Sequence, residues 1–93
     1  MSSKPPITDY FVRRCTSDEG IDDDEGEWCL CRNGPHRVIA VYRSQISALE
    51  DAIDLAYYRT ERGADAQVHL QDAFDAERFE TYWHARGTVS RYG

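Results

Sequence analysis

The stretch Glu27-Trp28-Cys29-Leu30-Cys31-Arg32-Asn33-Gly34-Pro35-His36-Arg37-Val38-Ile39-Ala40-Val41-Tyr42-Arg43 decides the fold class. From Glu27 to Arg32 the residues alternate, with Trp28 and Leu30 on one side and Cys29 and Cys31 on the other. That is the period of a half-buried strand. Asn33-Gly34 comes next, and because both residues tolerate positive φ the pair is the strongest short hairpin signal available. His36 to Arg43 then returns as a second strand, placing Ile39 and Val41 on one face and Val38, Ala40 and Tyr42 on the other. A hairpin in the middle of the chain predicts an antiparallel sheet.

Toward the N-terminus, Tyr10 to Thr16 is rich in strand formers and reads as an earlier strand, preceded by a polar lead-in over 1–6 expected to fray. Toward the C-terminus, Ser47-Ala48-Leu49-Glu50 reads as a capping box. Leu49, Ala52, Ile53, Ala56, Tyr57 and Thr60 then form one helical stripe, and Gly63 ends the helix. Asp65 to Gln71 alternates again, with Ala66, Val68 and Leu70 inward and Gln67, His69 and Gln71 outward. Asp75 reads as the cap of a second helix, with Phe74 stapled onto Phe79. Its buried stripe is Phe79, Tyr82 and Trp83; Gly87 stops it, and 88–93 is a tail. The expected fold is therefore α+β, in the order β-β-β-α-β-α. It is an antiparallel sheet of about four strands with two helices over one face. Trp28, Leu49, Ile53, Val68, Phe79 and Trp83 are expected in a single core.

Length and composition bound the function. Ninety-three residues make a single domain, 1–93, and 41% hydrophobic content excludes wholesale disorder. No apolar run approaches a membrane span and no basic-then-apolar segment opens the chain, so a cytoplasmic protein of the bacterial host cytosol is expected. With that location, the three cysteines read as reduced thiols with no disulfide framework.

Charge is the most informative bulk property. The net charge is −6, and seven acids (Asp18, Glu19, Asp22, Asp23, Asp24, Glu25, Glu27) lie between Ser17 and Glu27 with no base among them. The remainder carries ten acids and eleven bases. Such a segment, 17–27, with Gly20 and Gly26, is expected to loop out. Overall acidity argues against direct nucleic-acid binding and favours a partner with a basic surface. A second acidic surface lies on the helix face opposite the apolar stripe, where Glu50, Asp51, Asp54 and Glu61 surround Tyr58, next to Arg62. Tyrosine supplies binding energy at interfaces.

Catalytic and metal chemistry is poorly supplied. Cys29 and Cys31 share a strand face, and His36 lies across the hairpin, but a structural zinc site needs four ligands. Cys15 could add one only if its strand runs alongside. His36 near Cys31 is half of a nucleophile–base pair, without an oxyanion loop or a third member. His69 and His84 are isolated in the sequence, and the carboxylates lack the enclosure that separates two pKa values. With Gly26 as position six of a calcium loop, Ile21 falls at position one, so an EF-hand is excluded. No enzyme, cofactor or metal site is expected.

The middle of the chain resembles a family of uncharacterised small bacterial domains, through Glu27-Trp28, Ser47-Ala48-Leu49-Glu50, Ala52, Ala56 and Val68-His69-Leu70. That family brings no activity. In size, acidity and lack of catalytic apparatus the chain also resembles phage and mobile-element inhibitors of the anti-CRISPR and DNA-mimic kind. This second resemblance implies an inhibitor that occupies the basic surface of a nucleic-acid-handling complex. An immunity protein or antitoxin is the alternative within the binding class, and a Cys/His metal-binding or thiol enzyme the alternative outside it.

Overall fold

The computed structural model describes residues 7–16 and 27–87. Five strands and one helix run in the order β1 (Ile7–Arg14), β2 (Trp28–Arg32), β3 (Val38–Tyr42), α1 (Gln45–Glu61), β4 (Asp65–Gln71) and β5 (Phe79–Ala85). The strands form a five-stranded sheet in the order β3-β2-β1-β4-β5. The class is α+β as expected, but the sheet is mixed and there is one helix rather than two. β1 is antiparallel to β2 and parallel to β4, and β5 closes the far edge antiparallel to β4. The expected all-antiparallel sheet of about four strands is thereby corrected.

The hairpin is built where the sequence places it. Asn33 has φ 59° and Gly34 φ 145°, and Arg32 N–H donates to Arg37 O across the loop. A register shift at Leu30/Cys31 leaves Ala40 and Tyr42 on the core side, with Leu30 and Trp28. β1 begins three residues earlier than its composition suggests, at Ile7.

The helix is capped by Ser44, whose hydroxyl accepts from Ser47 N at 3.1 Å. The capping residue thus lies three positions before the expected Ser47. Ala48, Ala52 and Ala56 recur every fourth residue and are fully buried. Their small side chains let α1 lie close on the sheet, over Tyr10, Val12, Leu30, Ala66 and Val68. Leu49 and Thr60 are buried and Ile53 is half-buried against the core, but Tyr57 is 55% exposed and does not belong to the stripe. Gly63 ends the helix at φ 92°, as expected.

The second helix is replaced by a turn and a strand. Asp75 does use its carboxylate on a nearby backbone N–H, that of Glu77 at 3.0 Å, and Arg78 N bonds Asp75 O at 3.0 Å. The local chemistry of a helix cap therefore serves a turn instead. Beyond the turn, Phe79, Thr81, Tyr82 and Trp83 are aromatic or β-branched, which suits a pleated edge, and β4 offers them a row of backbone partners. A bulge hides the alternation. Gln71 pairs with Phe79 and His69 with Thr81, the register then shifts, and Val68 pairs with Trp83. Phe79 and Thr81 thus face away from the helix while Trp83 packs against the core. Phe79 is accordingly not a member of the helix-side core, and Phe74 is no staple. Gly87 stops no helix: its N–H bonds Asp65 Oδ1 at 2.8 Å, and a Cβ there would overlap the Gly63–Ala64 backbone.

Candidate functional site

Two surfaces carry the charged and polar side chains of interest. The first is the outer face of α1. Helical periodicity places Glu50, Asp54 and Glu61 in one line opposite the alanine stripe, and all three are exposed. Tyr57 and Tyr58 flank that line at 55% and 49% exposure. The Arg62 guanidinium sits 4.4 Å from the centre of the Tyr58 ring, which orients the ring at the surface. Asp51 is different. The Tyr42 hydroxyl hydrogen-bonds it, and Tyr42 is pushed up to about 12 by burial first, then by that bond and the carboxylate's charge. Asp51 thereby fastens α1 to β3 at the rim of the sheet. Of the helix acids predicted as a site, Glu50, Asp54 and Glu61 stand together with Tyr58, and Asp51 has a structural bond.

Asp18, Glu19, Asp22, Asp23, Asp24 and Glu25 lie outside the described residues. Glu27 is half-buried at the foot of β2, where its carbonyl accepts from Cys15 N at 3.1 Å.

The second surface is the sheet face turned away from α1. Asp9, Phe11 and Arg13 project there from β1, Cys29 and Cys31 from β2, and Gln67, His69 and Gln71 from β4. Pro35 O accepts from Arg13 Nε at 2.6 Å and from Cys31 Sγ at 3.3 Å, so the hairpin loop folds over this face. Arg13, Cys29 and Cys31 are buried beneath it. Cys15 and Cys29 are joined as a disulfide with Cα atoms 5.3 Å apart, within the range such a bond requires. The expectation of three reduced thiols is corrected. Strand alternation had put Cys29 and Cys31 on one face, but the β1–β2 register that brings Cys15 beside Cys29 is tertiary. The metal reading loses Cys29 to this bond, and His36 is exposed on the hairpin. Among the described residues no three His, Cys, Asp or Glu side chains converge on one point.

A chain of hydrogen bonds that no sequence pattern announces lies on the same face. His69 Nε2 lies 3.0 Å from Asp9 Oδ1, and Nδ1 lies 3.2 Å from Thr81 Oγ1. With the proton on Nε2 for the carboxylate, Nδ1 accepts from the Thr81 hydroxyl, a consistent neutral tautomer. Phe11 stacks on the imidazole at 4.7 Å and meets Phe79 edge-on at 5.3 Å. Alternation correctly put His69 on the outward side of β4. Nothing in the sequence says that β1 runs parallel beside it and delivers Asp9. The arrangement ties β1, β4 and β5 together across the face without a helix.

Among the described residues no helix is long and apolar enough to cross a membrane. Comparison of the chain with protein-family models, curated proteins and solved structures finds no match to any of them.

Proposed function

We propose that this chain is a small acidic, non-enzymatic binding protein that inhibits a nucleic-acid-handling complex by occupying a basic surface. Phage and mobile-element inhibitors of the anti-CRISPR or DNA-mimic kind act in this way. The observation that supports the reading is the outer face of α1, where Glu50, Asp54 and Glu61 run in line beside Tyr58. A row of carboxylates along one helix face attracts a groove built for phosphates, and a tyrosine beside them supplies apolar contact. The acids from Asp18 to Glu27 supply the net negative charge of the chain.

The setting that goes with this reading is the bacterial host cytosol. There the thiol pool acts to reduce the Cys15–Cys29 disulfide, and the core under α1 holds the fold without it.

The test is affinity capture from bacterial lysate, identification of what co-purifies, and binding kinetics with the purified partner. A triple variant, Glu50→Gln, Asp54→Asn and Glu61→Gln, should slow association several-fold and flatten its salt dependence while leaving the fold intact. The captured partner should lose its nucleic acid as the wild-type chain binds. Simultaneous binding of nucleic acid and this chain, or a partner indifferent to all the acids at low salt, would sink the reading.

A further inference from the structure

Phe74 is 99% exposed, the most exposed large apolar side chain among the described residues. It is not there because its segment is loose. Phe74 N–H donates to Asp72 Oδ1 at 2.7 Å, and Asp72 N–H to Arg78 O at 2.8 Å. Asp75 Oδ1 accepts from Glu77 N, and Gln71 Nε2 donates to Ala76 O at 3.0 Å. A turn closed by this many bonds could bury its aromatic residue in the depression beside it. That depression is open, about 610 Å³, and runs between Arg14, Trp28, Gln45 and Ala73 with Phe74 on its border. The turn instead holds the ring away from its own protein.

The turn that carries the ring has an excess of acids. Asp72, Asp75, Glu77 and Glu80 flank Phe74 in the sequence, the single base of the turn, Arg78, is paired with Glu80 at 3.3 Å and with Asp72 at 4.0 Å, and Arg14 across the depression lies 4.9 Å from the centre of the Trp28 ring. We propose that Phe74 is an anchor residue for a protein partner, inserted into an apolar pocket that lysine or arginine side chains border. A pre-formed aromatic anchor loses little conformational freedom on docking, and the excess of acids in its turn steers it toward such a rim. A second copy of this chain is the wrong occupant, because docking turn on turn would set Asp72, Asp75, Glu77 and Glu80 of one copy against the same acids of the other. This rests on the reading of the chain as a binding protein, and it adds a contact remote in sequence from the α1 acids.

Phe74→p-benzoylphenylalanine in the full chain provides a photocrosslinker at the anchor. The crosslinked protein is identified, purified and titrated with wild type, with Phe74→Ala, and with Asp75→Asn/Glu77→Gln. Phe74→Ala should weaken binding at least about 30-fold, the threshold of an interface hot spot. Its melting temperature should stay within about 2 °C of wild type, since an exposed ring contributes little to the fold. The charge variant should reduce the association rate and its salt dependence. Binding of Phe74→Ala within about threefold of wild type overturns the proposal, as does crosslinking to a second copy alone or to nothing at low salt. The α1 triple variant separates the two readings: if it loses the partner while Phe74→Ala keeps it, only the anchor is wrong.

Discussion

The two faces of the sheet are built on different principles. The face under α1 is sealed by Tyr10, Val12, Leu30, Ala66 and Val68 against a helix of alanines, and apolar packing is its main bond. The opposite face has no helix over it among the described residues, yet Arg13, Cys29 and Cys31 are buried there. It is held by discrete contacts instead: the Cys15–Cys29 disulfide, the Pro35 carbonyl, and the Asp9–His69–Thr81 chain under Phe11. Non-directional burial tolerates small displacements, whereas a hydrogen-bond chain or a disulfide specifies one arrangement. The covered face therefore supplies most of the stability, and the open one fixes the register of β1 against β2 and β4.

The largest effect should come from a cavity on the covered face. Leu30→Ala removes a fully buried side chain from the middle of the core and should cost about 2–5 kcal/mol in denaturant titration. A loss below about 1 kcal/mol would mean that α1 does not seat on β2 there.

Next comes the open face. Reduction of the disulfide, or Cys15→Ala, releases a ring whose ends are 14 residues apart in sequence. The chain-entropy model assigns about 3 kcal/mol to a closure of that size. Thermal melts with and without a dithiol, alongside thiol counting, should show a lower melting temperature with the fold retained. Three free thiols in protein purified without reductant would remove the disulfide from this face altogether. Complete unfolding on reduction would make the open face, and not the helix side, the dominant one.

The smallest effect is at the rim, where Tyr42 donates to Asp51. Its folded pKa is raised from 10.0 to about 12, so the native state holds the phenolic proton longer than the unfolded chain does. That contribution is fully present below pH 10 and is lost as pH rises through about 12. Stability measured across this window should fall with pH in wild type, and Tyr42→Phe should flatten the slope. An unchanged slope would show that Tyr42 is not the group responsible.

Much of the molecule was legible in its residues. Alternation over 28–32 and 65–71 marked two strands and the faces of their side chains, because a period of two needs no information from elsewhere. Asn33-Gly34 marked the hairpin and Gly63 the helix end, since each meets a local backbone demand. The α1 stripe and its opposing acids follow from helical periodicity, and Tyr57, at the edge of that stripe, turns out to solvent.

Other features belong to the tertiary structure alone. The Asp75 cap and the aromatic spacing of Phe79, Tyr82 and Trp83 satisfy a helix locally. β4 offered a free edge, and a bulge let Phe79 and Trp83 face opposite sides of the sheet. The parallel pairing of β1 with β4 brought together Asp9 and His69, which are 60 residues apart, and the β1–β2 register joined Cys15 to Cys29. Local sequence determines which backbone conformations are cheap and which faces are apolar. Which strand lies beside which is decided by burying all those faces at once, and contacts between distant residues exist only after that choice is made.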